Sequence, residues 1–205
     1  MNFKKDLITR RLLNPMLVVI GAFALTLFAG WARSISGEKP ETAAIQENSL
    51  PAWLQTHMEF MTRGDGFWVA DNSRYKNENE PYDGYALEWK WGIGKKSIVG
   101  RLTGLKAGVE TGLFWEYRLI WHPGEKQAVL YQFGGDGTFG SGPLRPGNEG
   151  TSELEQTFFS PNGASWKGRH ESKDDGDEHL TTSFLFDDGE WQKSRDYVWR
   201  RTKKN

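Results

Sequence analysis

From Gly66 onward the apolar residues recur with a period of two. Tyr85, Leu87, Trp89 and Trp91 share one face of a run, while Glu88 and Lys90 occupy the other. Between 111 and 122, Leu113, Trp115, Tyr117, Leu119 and Trp121 line one face, and Phe114, Glu116, Arg118, Ile120 and His122 line the opposite one. Successive side chains on a strand point to opposite sides, so this alternation predicts β-strands. The pattern repeats over 98–105, 127–133, 154–159, 180–186 and 191–199, and more weakly over 67–70, 138–140 and 165–169. Turn-forming clusters separate the runs: Pro123-Gly124, Gly134-Gly135-Asp136-Gly137, Pro161-Asn162-Gly163, Asp174-Asp175-Gly176-Asp177 and Asp187-Asp188-Gly189. Asn-Gly and Asp-Gly pairs accept positive φ at small cost and favour tight hairpins. About ten short strands joined by hairpins make an antiparallel meander. Such a sheet hides its edges by closing into a barrel or folding into a sandwich, and a ten-strand up-and-down barrel is the preferred closure.

The chain before Gly66 follows other rules. Trp53, His57 and Phe60 stand at helical spacing with Met61 beside them, which predicts a short amphipathic helix with Ser49 as N-cap, Pro51 in its first turn and Gly64 closing it. Residues 36–48 are polar and aperiodic and contain Pro40, so they are read as a flexible linker. Residues 16–32 (MLVVIGAFALTLFAGWA) carry no charge and follow the basic Lys4, Lys5, Arg10 and Arg11. This is the pattern of an export signal or a single membrane anchor, with the N-terminus held on the cytoplasmic side. Residues 1–35 are therefore taken as a cleaved signal peptide or a retained anchor, and 49–205 as the folded domain. An exported location, periplasmic or extracellular, follows, with a membrane contact through residues 16–32 if the leader stays.

Composition narrows the chemistry. Ten Trp and twelve Phe supply a large apolar load that favours sheet. There is no cysteine, which excludes disulfides, thiolate metal sites and a cysteine nucleophile. The first 36 residues carry five basic side chains against one acidic, and the remainder 21 against 26, a net acidic body, so nucleic acid is not an expected partner. The four histidines have no close metal-ligand spacing, and no metal or cofactor is assigned. The acidic run Asp174-Asp175-Gly176-Asp177-Glu178 lacks calcium-loop spacing and reads as a solvated hairpin tip. Gly134-Gly135-Asp136-Gly137 has no following helix or Lys-Ser/Thr pair and is a turn rather than a phosphate loop. No Gly-x-Ser-x-Gly elbow occurs.

Several short motifs stand in a telling order: Phe67-Trp68, Glu88-Trp89, Trp121-His122-Pro123, Asp136-Gly137, Ser160-Pro161-Asn162-Gly163, and Asp188-Gly189-Glu190-Trp191 leading to Tyr197-Val198-Trp199-Arg200. Their order and spacing over residues 58–201 resemble an uncharacterised bacterial lipocalin-like family, the DUF1579 type. The resemblance implies a calycin-type barrel without a settled activity. The related haem-binding nitrobindin type has a Gly-rich opening around its first strand, where this chain has Phe67-Trp68-Val69-Ala70-Asp71.

Two sets of residues are candidates for ligand contact. Trp89, Trp115, Tyr117 and Trp121 could line an apolar pocket or simply fill the core. Glu116, Arg118 and His122 alternate on the other face of their strand; inside the barrel they would form a ligand clamp or an acid/base pair, outside it a solvated row of cross-strand ion pairs. Alternation alone leaves open which face points inward. The resulting expectation is a barrel holding a small apolar or amphipathic molecule without transforming it. The rivals are an enzyme acting in the lumen and a sandwich that binds envelope carbohydrate.

Overall fold

The computed structural model describes residues 49–204. The readings of residues 1–48 as leader and linker lie outside the described residues. Among the described residues, no helix is long and apolar enough to cross a membrane.

One helix, α1 (Ala52–Thr62), precedes ten strands: β1 (Phe67–Asp71), β2 (Gly84–Trp91), β3 (Ser97–Lys106), β4 (Val109–His122), β5 (Gln127–Gly134), β6 (Phe139–Pro146), β7 (Thr151–Phe159), β8 (Ser165–Asp175), β9 (Glu178–Asp187) and β10 (Glu190–Thr202). Each strand pairs antiparallel with its neighbour in sequence, and β1 pairs with β10, so the sheet closes into a barrel. Closure leaves no edge strand to be protected. It also removes the sandwich alternative, because Trp68, Trp89 and Trp199 are buried inside the wall.

Register shows which face is inside. Trp89 stands beside Gly100, Gly100 beside Tyr117, and Tyr117 beside Gln132, giving one inward belt across β2 to β5. Leu87, Leu102 and Trp115 form the next belt toward one rim. Glycine lets the rings lie flat against the wall: a methyl group on Gly100 would sit 2.6 Å from the Trp89 ring, and one on Gly140 would sit 2.5 Å from Phe158. Any other residue there would push an indole or phenyl group into the lumen.

The two rims differ. At one end α1 covers the barrel, placing Leu54, Met58 and Met61 in a cluster with Trp68, Ile98, Leu119, Ala128, Leu144 and Trp199. Trp68 Nε1 donates to Met61 O at 2.9 Å, and Arg201 Nη2 donates to Phe60 O at 3.0 Å. The helix phase therefore differs from the sequence reading: Leu54 and Met58 are fully buried, whereas Trp53, His57 and Phe60 sit at the flank. The cap differs as well. Pro51 is the N-cap, its carbonyl accepts from Leu54 and Gln55, and no side chain caps the end, so Ser49 does not play that role. The chain leaves α1 through Arg63, and Gly64 follows with φ +65°.

His57 Nδ1 and His179 Nδ1 meet the two oxygens of Asp174 at 2.8 and 2.6 Å, tying α1 to β8 and β9. Burial resists charging Asp174, but the hydrogen bonds from His179 and His57 outweigh it and hold the carboxyl well below its usual range. Asp174 is thus an inter-element clamp and not part of a solvated tip. Beyond it Asp175, Gly176 and Asp177 are exposed.

Candidate functional site

The other rim holds a cavity of about 950 Å³. Its walls differ in how many polar groups they carry. Strands β2 to β5 contribute Leu87, Trp89, Leu102, Trp115, Tyr117 and Leu130, an apolar and aromatic surface. Strands β7 to β9 contribute the uncharged hydrogen-bonding groups of Gln156, His170, Ser172, Thr181 and Ser183 together with the apolar Leu154, Phe158, Trp166, Phe184 and Leu185. Pockets of this kind, largely apolar with a few placed polar groups, are the usual form of small-molecule sites.

The segment between β1 and β2 roofs this cavity with Tyr75, Asn77, Asn79, Glu80 and Tyr82. Glu80 is the centre of its polar contacts. Tyr85 Oη donates to Glu80 Oε1 at 2.5 Å, and Arg195 Nη2 donates to Oε2 at 2.5 Å. Burial opposes ionisation of Glu80, yet the hydrogen bonds from Arg195, Tyr85 and Asn72 prevail and lower its pKa. Burial, aided by the adjacent Glu80, raises the Tyr85 hydroxyl.

Deeper in the lumen the polar groups are neutral. His170 Nδ1 lies 2.8 Å from Ser183 Oγ, and burial pushes the imidazole down to about 4. Burial likewise raises the Tyr117 phenol. The side-chain amide of Gln156 is without a hydrogen-bond partner at either atom, and so is Trp89 Nε1. Buried polar atoms are nearly always paired, so unpaired ones on a cavity wall call for an explanation.

The residues singled out in the sequence separate cleanly. Trp89, Trp115 and Tyr117 line the cavity. Trp121 faces inward but sits toward the α1 end, packed against the buried core, and does not line it. Glu116 and Arg118 point outward and are exposed, in a shallow groove with Glu88, Lys90 and Arg101. His122 lies at the β4–β5 turn, where Nδ1 accepts from the Glu125 amide at 3.1 Å. Six positions along one strand separate Glu116 from His122 by about 20 Å. These two do not meet at a common point, and neither reaches the lumen.

The outer groove has its own electrostatics. Glu88 accepts from Arg101 Nε at 2.7 Å and Lys204 Nζ at 3.0 Å and pairs with Lys90 at 2.9 Å, which leaves it 5% exposed although it faces outward. Partial burial works against its charge, but Lys90, Lys204 and Arg101 bring its pKa down to about 2. This is a structural ion-pair network on the wall.

Sequence reasoning passed over Gln156, His170, Ser183, Glu80 and Arg195. A signal for His170 existed: Trp166, Gly168, His170 and Ser172 alternate with charged Lys167, Arg169, Glu171 and Lys173. It was weak because a polar lumen lacks the hydropathy contrast that marks a strand. Comparison of the chain with protein-family models, with curated proteins and with solved structures finds no significant match.

Proposed function

We propose that this barrel is a carrier or sensor domain that holds a small amphipathic molecule in its lumen without transforming it. The carrying observation is the cavity lining, aromatic and aliphatic throughout, with uncharged donors and acceptors set mostly on β7 to β9. A guest with an apolar face and a polar edge fits both at once. The rim supports the same reading. Leu113, Phe133, Phe159, Trp166, Leu185 and Phe186 are all large and exposed, and all lie near the strand ends at the open rim. Clusters of exposed apolar side chains at a cavity entrance suit the capture of poorly soluble molecules. The export pattern of residues 1–35 and the lipocalin-like motif order are consistent with a domain working outside the cytoplasm.

An enzymatic reading would rest on His170 and Ser183, whose side chains are within hydrogen-bond distance. A general base works best with a pKa near the ambient pH. An imidazole pushed down to about 4 is a weak base at neutrality, which favours holding over catalysis.

The test is native mass spectrometry of the purified full chain, paired with titration of intrinsic tryptophan fluorescence by N-phenylnaphthylamine, a neutral aromatic probe. The expected result is saturable one-to-one binding that a Trp115→Arg substitution abolishes. Absence of any retained molecule together with absence of probe binding would overturn the proposal.

A further inference from the structure

We propose that the guest is uncharged and carries a head group that both donates and accepts hydrogen bonds, of the carboxamide or alcohol kind, docked between Gln156 and Trp89. The inference rests on the holding function above and names its ligand class. Gln156 is 1% exposed, and neither its Oε1 nor its Nε2 has a partner. Trp89 Nε1 is a donor in the same condition. Both residues line the one cavity, on β7 and β2. An unpaired buried amide and indole N–H carry a desolvation cost that a complementary head group removes.

The identity of the lining excludes charged heads. The only carboxylate and guanidinium on the described lining are Glu80 and Arg195, and these are already bound to each other at the rim. A carboxylate guest would enter a lumen with no free cation and an ammonium guest one with no free anion, and burying either charge unpaired is costly. A carboxylate also only accepts, so it leaves the Gln156 carbonyl oxygen unmatched. Gln156 is registered beside Gly168 on β8, and the Phe158 ring lies over that glycine, so the amide shares its end of the lumen with an aromatic face.

The experiment is a fluorescence titration of the full chain at neutral pH with decanamide, decanol, decanoate and decylamine, which share one alkyl chain, with N-phenylnaphthylamine as a head-group-independent reference. Decanamide and decanol are expected to bind at least tenfold more tightly than decanoate or decylamine. Gln156→Met, close in size but apolar, is expected to lower decanamide affinity about tenfold relative to N-phenylnaphthylamine affinity, while Glu116→Gln on the outer face leaves both unchanged. Trp89→Phe, which removes the N–H donor along with part of the ring, is expected to weaken decanamide more than N-phenylnaphthylamine, which reports the lost ring area alone. Decanoate binding as tightly as decanamide, or a decanamide preference untouched in both variants, overturns this inference and leaves the holding function standing. Failure of every alkyl probe and of N-phenylnaphthylamine overturns the holding function itself.

Discussion

Arg195 on β10 and Glu80 in the segment between β1 and β2 form a two-pronged ion pair, with Nη1 and Nη2 each donating to a different carboxylate oxygen. Asn72 Nδ2 donates to Glu80 at 3.2 Å, and Tyr197 Oη donates to Asn72 Oδ1 at 2.7 Å, so the pair belongs to a network spanning the rim. Bidentate geometry adds direction to the Coulomb attraction. Through it the barrel wall holds the roof of the cavity.

Glu80→Gln keeps the shape and removes the charge. It is expected to destabilise the fold by about 1.5–3 kcal/mol, the range for a charge-assisted hydrogen bond. Amide exchange across residues 72–83 is expected to accelerate more than exchange in β2 to β5. Hydrogen exchange with mass detection checks this, and unchanged protection of 72–83 would contradict the role given to the pair.

His170 makes stability depend on acid. Its folded pKa, about 4, lies below the usual histidine value of 6.5. The unfolded chain therefore binds the proton first, and stability falls as pH drops from 6.5 to 4, by up to about 3 kcal/mol from this group. His170→Gln does not titrate and is expected to flatten that part of the profile. Urea unfolding of both proteins at pH 7 and pH 4.5 measures the difference; equal slopes would show that His170 titrates normally.

Below that window the carboxylates take over. Glu88, with a folded pKa of about 2 against 4.5, contributes stability that is complete above pH 4.5 and lost as pH falls toward 2. Glu88→Gln is expected to reduce acid sensitivity between pH 4.5 and 2 while lowering stability at neutrality. The groove is partly open to water, so the neutral-pH loss is expected to stay near 1 kcal/mol.

Gly100→Ala tests how the aromatic wall is packed. The added methyl would stand 2.6 Å from the Trp89 ring. Overpacking of this kind costs about 1–3 kcal/mol. The variant is expected to show both lower stability and a shifted tryptophan emission, and a wild-type spectrum would mean the ring is not pressed on that backbone.

Glu116→Gln and Arg118→Gln serve as the reverse check. Both residues are on the outer face, so each change is expected to alter stability by no more than about 0.5 kcal/mol and to leave lumen binding untouched. Loss of probe binding in either would place that face inside.

How legible each strand was depends on what its inward positions carry. β2 and β4 stood out because Trp, Tyr and Leu alternate there with Glu, Lys and Arg. β6 was read as only 138–140, though it runs Phe139–Pro146, because two of its inward positions are Gly140 and Gly142. β8 was cut short at 169 although it extends to Asp175, since His170 and Ser172 face a polar lumen and show no apolar period. The helix was legible as an element and wrong in phase, because Trp53 and Phe60 outrank Leu54 and Met58 in size while the covered rim accepts the narrower side chains.

Period-two alternation and glycine-punctuated turns, both local properties of the chain, determined that this is an antiparallel meander of about ten strands. They divide each strand into two faces and are silent on which is inside, because a strand reads the same when turned over. That choice was made only when β1 joined β10: closure curves every strand toward one side and commits Trp89, Trp115 and Tyr117 to the lumen and Glu116 and Arg118 to water. The partnership of Glu80 with Arg195, and the meeting of Trp89 with Gln156 on one cavity, join residues far apart in sequence, and only the closed barrel brings them together.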